Sequence, residues 1–366
     1  MAASTINFLN LPLLIFSILL LCRRSLAAGT PSDTLYNGGN ITDGETLKST
    51  DGSFTLGFFC PPGAPTKRYL GIWFTASGAD SLYWVANRDT PFNNTSGMLV
   101  LRTDGILGLL DGSGRTASAW SASDPTVAQA QLLDSGNLVV REMSSGRTLW
   151  QSFDDPANTM LAGMKLGKNS RTGENWSLTS WRSQSDPAKG SYSQVMDTKG
   201  LPDIVTYWHD KVKKCRAGPV EQSLVSGIPE LDSDFKQFSV QMVNNADEVS
   251  YYYILDTTTA GSSTYIRTIL DEAGAVKVLV WIPSVSVWRS YPWLPRDVCD
   301  DYASCGVFGL CNIASTAFCG CVEGFSPVNQ SEWSRREYSG GCRRDVRQRD
   351  DDVDRRVHGA AKREAP

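Results

Sequence analysis

The sequence predicts an all-β protein that ends in a small disulfide-rich module. Three observations carry this expectation. Short runs rich in β-branched and aromatic residues alternate with turns built on Gly and Asp over most of the chain. One such unit, LLDSGNLVVREMSSGRTLW ending at Trp150, is echoed upstream. Asp104 lies sixteen residues before Trp120, as Asp134 does before Trp150, and a G-R-T triplet precedes each tryptophan. Repeats of this length mark an architecture made by copying one supersecondary unit. Finally, six cysteines crowd between Cys299 and Cys342.

The chain opens with an apolar run from Phe8 to Cys22, followed by small residues at Ser25, Ala27 and Ala28. This pattern fits a secretory signal peptide over residues 1–27, cleaved near Ala27. Arg23 and Arg24 follow the run instead of preceding it, so an uncleaved amino-terminal membrane anchor is the competing reading. The run falls short of the ~20 residues that span a bilayer, which favours cleavage. A secreted or extracellular product is expected. Five sequon asparagines fit that compartment: Asn40, Asn93, Asn94, Asn175 and Asn329.

Residues 28–155 read as a first domain. FTLGFF (54–59), YLGIWF (69–74), LYWVAN (82–87), MLVL (98–101), ILGLL (106–110) and NLVV (137–140) read as strands. Asp51-Gly52, Asp104-Gly105, Asp111-Gly112 and Asp134-Ser135-Gly136 supply tight turns between them. Trp84, Trp120 and Trp150 recur near strand ends. Three sheets around one axis would bury three such rings at the centre, so their expected role is core.

Residues 156–295 read as a second β-rich domain with longer loops and no helix. Within it VKVLVWIPSVSVW, from Val276 to Trp288, forms two strands about Pro283. Residues 296–342 hold Cys299, Cys305, Cys311, Cys319, Cys321 and Cys342. So short a segment has little core of its own and needs staples, and three disulfides are expected. Zinc is the alternative, disfavoured by the compartment and by the lack of histidine here. The C-x-C at Cys319 and Cys321 followed by G-F is similar to an EGF-like module. Residues 343–366 mix charges of both signs and are expected to be disordered.

In order along the chain, several stretches then resemble one family. DGSFTLGFF and YWVANRDTP resemble the opening of a bulb-type (mannose-binding) lectin domain. LLDSGNLVVRE and LWQSFDDPANTMLAGMKLG resemble its close. SWRSQSDPAKGSYS, KKCRAGP and SGIPE resemble an S-locus glycoprotein domain. CDDYASCGVFGLCN, CGCVEGFSP and WSRREYSGGCRR resemble the EGF-like module that follows it. The chain thus resembles the ectodomain of plant S-domain (G-type lectin) receptor-like serine/threonine kinases and the S-locus glycoproteins. The resemblance implies a lectin β-prism, a β-rich S-locus glycoprotein domain and an EGF-like module. It also implies truncation before the PAN, transmembrane and kinase regions. No Gly-rich phosphate loop, H-R-D or D-F-G occurs in the sequence, so no kinase activity is expected.

Bulb-type lectins hold mannose through Q-x-D-x-N-x-V-x-Y, in which the polar side chains bond sugar hydroxyls. Asn137 and Val139 match this pattern. Leu133, Ser135 and Arg141 replace the Gln, Asp and Tyr, and Asp134 sits one residue off. In the earlier copy Asp104 matches, while Ile106, Gly108 and Leu110 do not. Asp104, Asp134, Asn137 and Val139 therefore read as a degenerate sugar site, turned to structural use. Cys60 and Cys215 lie outside the cysteine cluster, where the family more often has a small polar and an aromatic residue. They read as two buried or free thiols, with a bond between them the lesser reading.

Other function classes find little support. The net charge is −4 with no basic stripe, which argues against nucleic acid. The two histidines, His209 and His358, stand in no G-x-S-x-G or H-E-x-x-H setting, and the acidic run from Asp350 to Asp354 lacks an EF-hand pattern. No cofactor or metal is expected. The expected function is non-enzymatic recognition of an extracellular protein, peptide or glycoconjugate, with a full-length S-domain receptor kinase as a candidate partner. An active mannose-binding lectin and a non-functional truncated product are the alternatives.

Overall fold

The computed structural model describes residues 32–120, 126–221, 224–225, 238–256 and 265–345. The apolar leader, SGIPE, the acidic run and His358 lie outside the described residues. Two compact units are present, residues 1–295 and 296–366.

The first unit begins with three four-stranded antiparallel sheets. Three short strands, Thr34–Tyr36, Asn40–Thr42 and Thr46–Lys48, each lend an edge to a different sheet. A three-stranded meander completes every sheet. Ala128–Leu132, Leu138–Glu142 and Thr148–Gln151 complete the first. Met98–Leu101, Leu107–Leu110 and Thr116–Trp120 complete the second. Phe54–Phe59, Tyr69–Phe74 and Leu82–Val85 complete the third. Trp84, Trp120 and Trp150 stand on the last strand of each meander. Their ring centroids lie 5.2–5.9 Å apart, so the three rings meet at one centre.

The repeat is real, but its register differs from the equal Asp–Trp spacing. The two turns superpose as Arg102–Ile106 and Leu133–Asn137, each closed by a backbone bond of 2.9 Å from first N–H to last carbonyl. Gly105 and Gly136 hold φ of +85° and +86° at the same turn position, a conformation glycine adopts without strain. Asp104 therefore corresponds to Ser135. Its carboxylate accepts from Ile106 N–H at 3.3 Å, as the Ser135 hydroxyl accepts from Asn137 N–H at 3.4 Å. Trp120 pairs across from Leu107, whereas Trp150 pairs across from Val140. A shift of two residues keeps a side chain on the same face, so both rings still reach the centre.

In the first two sheets the strands Met98–Leu101 and Ala128–Leu132 alternate. Ala128, Ala130 and Leu132 are buried while Gln129 and Gln131 are only half-buried. The third does not, because both its faces are covered. Phe54, Leu56, Phe58, Leu70, Ile72 and Phe74 belong to the main core. Phe59, Tyr69, Leu82 and Val85 form a second cluster, on which Trp73 and Trp181 pack. Trp181 comes from the strand Leu178–Ser183, beyond these three sheets. Among the described residues the strands from Thr159 to Leu294 form two four-stranded sheets and one five-stranded sheet. The pair about Pro283 is seen as Val276–Ile282 and Val287–Leu294.

Arg88, just past the third sheet's last strand, ties that sheet to the strands Leu178–Ser183 and Asp186–Asp197. Its guanidinium donates to the carbonyls of Pro187 at 2.9 Å, Thr179 at 3.2 Å and Ser180 at 3.0 Å. Beside it Asp89 accepts from Lys189 N–H at 3.0 Å, and Asn87 accepts from Leu70 N–H at 2.9 Å. The segments ANRDTP and SWRSQSDPAKG are thus the two halves of one joint. Gly190 belongs to it, since a Cβ there would stand 2.2 Å from the Trp181 carbonyl. Burial pushes the Arg88 pKa down to about 10, with Asp89 opposing, so the cation persists at neutral pH.

In the second unit Cys299–Cys311, Cys305–Cys319 and Cys321–Cys342 are bonded, which leaves none of the six for zinc. Cys305, Cys319 and Tyr338 form its small core, with Phe318 and Trp333 against them. Two expectations are corrected. Arg343 and Arg344, placed in a disordered tail, form the strand Cys342–Arg344 with Phe325–Pro327, because the Cys321–Cys342 bond ties that end of the chain to the module. Cys60, read as a thiol, is disulfide-bonded, and its partner lies outside the described residues. Cys215 is fully buried and outside any disulfide.

Replacing Arg88 with Met is expected to lower unfolding stability by about 3 kcal/mol or more, since hydrogen bonds to a charged group are worth ~1.5–3 kcal/mol each. Denaturant unfolding of the purified chain checks this. A loss within error of zero would remove Arg88 as the lock.

Candidate functional site

The degenerate sugar residues do not form one constellation. Asp104 lies in the second sheet's hairpin, where its carboxylate is held by Arg102 at 2.8 Å and by its own turn. Asp134, Asn137 and Val139 lie in the first sheet's hairpin. Asp134 accepts from Asp51 N–H at 2.9 Å and so ties this turn to the third sheet's turn. Val139 is buried between Gln131 and Gln151 on the neighbouring strands.

Asn137 is the informative residue. It is buried, and its polar atoms are spent inside the protein. The amide nitrogen donates to Gln151 Oε1 at 2.9 Å. The amide oxygen accepts from Ser152 Oγ at 3.2 Å and Phe153 N–H at 3.3 Å. A side chain with four hydrogen-bonding sites and three of them occupied has little left for a sugar hydroxyl.

Asn137 instead begins a polar network at a cleft of about 270 Å³ lined also by Gln151, Asp154, Lys165, Trp176 and Glu248. Gln151 Nε2 donates to Asp154 Oδ1 at 3.0 Å, and Trp176 Nε1 donates to the same oxygen at 3.3 Å. The Lys165 ammonium sits 4.7 Å from the Trp176 ring centroid and 2.8 Å from Glu248 Oε1. Burial, and then the charge of Glu174, push the Asp154 carboxyl above its ordinary range, while the bonds from Gln151 and Trp176 pull it back. Burial opposes the Glu248 carboxylate too, yet Lys165 and Ser250 outweigh it and hold that pKa below the ordinary value. Gln151, Asp154 and Lys165 match no ligand-binding pattern, and Glu248 comes from a strand far along the chain. The sequence signal was LWQSFDDP itself, which sets Gln151 and Asp154 three residues apart.

All five sequon asparagines are exposed, which leaves each open to modification. Asn329 also caps the helix Gln330–Ser334, its side-chain oxygen accepting from Ser331 N–H at 3.0 Å and Glu332 N–H at 3.2 Å. Among the described residues no group of three or more His, Cys, Asp or Glu could hold a metal ion.

Comparison with known proteins places these features. The family of D-mannose binding lectins matches residues 81–182, and the S-locus glycoprotein domain matches residues 215–329. S-locus-specific glycoprotein S6 of Brassica oleracea is 35% identical over 344 residues, 92% of this chain and 76% of its own. Receptor-like serine/threonine-protein kinase SD1-8 of Arabidopsis thaliana is 35% identical over 312 residues, 82% of this chain but 35% of its own. The chain therefore spans about a third of that receptor kinase. Among solved structures, a monomeric mannose-binding lectin from Gastrodia elata is similar at 20% identity and a TM-score of 0.26, over 33% of this chain and 96% of its own. At that score the strand pairing above, and not the alignment, defines the fold.

The two carboxyls of the network should respond oppositely to pH. Asp154, raised in the fold, favours the native state most when protonated, so its penalty grows as pH rises through its window. Glu248, depressed, contributes stability that is lost as pH falls. Asp154→Asn is expected to raise the melting temperature at pH 7, with the gain vanishing toward pH 4. Melting curves of both chains across that range check it, and a gain that grows on acidification would contradict the assignment.

Proposed function

The chain belongs to the family of S-locus glycoproteins and G-type lectin S-receptor kinases, and from that premise we propose that it is a recognition protein of the cell surface or extracellular space. It binds an extracellular protein, peptide or glycoconjugate, alone or beside a full-length S-domain receptor kinase. Three disulfides support an oxidising compartment. Pollen recognition and defence perception are the processes that the family resemblance brings to this reading, and fold by itself selects neither.

The internal use of Asn137 carries the choice between recognition in this broad sense and mannose binding. The mannose pattern survives here as N-x-V alone, and its asparagine serves the joint between domains. The secreted chain is expected to show no saturable mannose binding on a glycan array, while affinity capture from extracellular extract retains a specific partner. Asn137→Ala is expected to cost on the order of 1–3 kcal/mol in stability, the penalty for stranding buried partners. Saturable mannose binding that Asn137→Ala abolishes in a folded chain would reverse the choice. Retention and degradation of the tagged chain inside the cell would sink both readings.

A further inference from the structure

A second cavity in the first unit, of about 300 Å³, lies between the third sheet and the second domain. Its walls are largely apolar: Phe54 and Phe74 on one side, Leu161, Leu255 and Trp288 on the other. The polar groups on these walls are already engaged. The Tyr83 hydroxyl donates to the Gly136 carbonyl, and the Tyr265 and Ser53 hydroxyls bond each other. Ser81 Oγ donates to the Phe74 carbonyl at 3.0 Å. Asp134 accepts from the Asp51 backbone.

Arg267 is the exception. It lines the cavity and is 6% exposed. Its guanidinium lies 4.4 Å from the Trp288 ring centroid, which orients the plane without neutralising the charge. Its Nε has no hydrogen-bond partner, and among the described residues no carboxylate forms an ion pair with it. Asp80 acts on it through space from an exposed position. Burial brings its pKa down to about 10, so the cation persists at neutral pH. An unpaired buried charge is costly, and the buried Arg88 shows how this chain satisfies one, with three carbonyl acceptors. Among the described residues no such acceptor is seen for Arg267.

We propose that this cavity binds an apolar monocarboxylate, with the carboxylate on Arg267 and the hydrocarbon body against Phe54, Phe74, Leu161 and Leu255. Guanidinium matches carboxylate in planar, two-bond geometry, which makes a carboxylate the fitting head group. Size sets the body. A cavity of ~150 Å³ holds benzene, so this one takes about a dozen non-hydrogen atoms. Octanoate and 3-phenylpropanoate are of that size. The site is independent of the recognition reading: failed partner capture leaves it standing, and a failed titration here leaves recognition standing.

Calorimetric titration of the full-length chain with octanoate and with 1-octanol tests the site. Octanoate is expected to bind saturably and about tenfold or more tighter than the alcohol, because only the acid completes the charge-assisted bonds. Arg267→Gln is expected to erase that preference while raising the melting temperature of the unliganded chain, since a lone buried cation has gone. A purely structural arginine would instead lower it on removal. Ala162→Phe, which fills the cavity and leaves Arg267 in place, is expected to abolish binding of both probes. Equal affinity for acid and alcohol in the unaltered chain, or no saturable octanoate binding up to about 1 mM, overturns the proposal, and neither measurement needs a variant to fold.

Discussion

Phe59, Tyr69, Leu82 and Val85 make an apolar patch on the side of the third sheet that faces away from the main core, and Trp181 of the strand Leu178–Ser183 closes over it. Burying a large apolar side chain is worth roughly 1.5–3 kcal/mol, so leaving four of them against water would undo much of a domain's net stability. This one requirement organises the first unit. The strand Ala128–Leu132 of the first sheet alternates, as a strand with one wet face does. The third sheet's strands are buried on both faces, so the strands beyond the three sheets must pack on it. Arg88 fixes the docking with bonds that need the carbonyls of Thr179, Ser180 and Pro187 held in place. Both cavities then arise within the same unit, one polar and one apolar.

On the reading proposed above, the sugar hairpin's binding motif has passed into structural service. Its turn, its strand and its tryptophan each have a folding reason to remain. Gly136 is held by its positive φ and by close contact with Tyr83 and Phe54, where a Cβ would stand 2.8 Å from the hydroxyl and 3.0 Å from the ring. Asn137 keeps a polar side chain because Gln151, Ser152 and Phe153 require it. Once its atoms face inward, restoring a sugar partner would strand those groups. The polar cleft and the apolar cavity differ in the same terms. Around Asn137 every charge has a partner, so that cleft reads as a joint. Around Arg267 one charge has none among the described residues, and on the proposal above that cavity is a place for a ligand.

Much of the fold was legible in the chain. Phe54–Phe59, Tyr69–Phe74 and Met98–Leu101 were bounded correctly, because turn residues and β-branched or aromatic runs act locally. The three tryptophans declared a shared centre by recurring. FTLGFF is buried along its whole length where AQAQL alternates, since strands covered on both faces lose their period of two. Register was less legible. Equal Asp–Trp spacing concealed a one-residue offset at the turn and a compensating difference before the tryptophan, which only pairing partners reveal. Cys60 was misread because a disulfide depends on distance in space.

The sequence by itself determined the strands, the turns, the triplicate core and the need for staples between Cys299 and Cys342. Each is set by neighbours along the chain or by composition. Tertiary structure decided which cysteines pair, that ANRDTP meets SWRSQSDPAKG, that Asn137 faces inward, and that Arg267 is buried without a counter-charge among the described residues. These rest on contacts between residues often about a hundred positions apart, where packing and desolvation, and no local preference, fix the outcome.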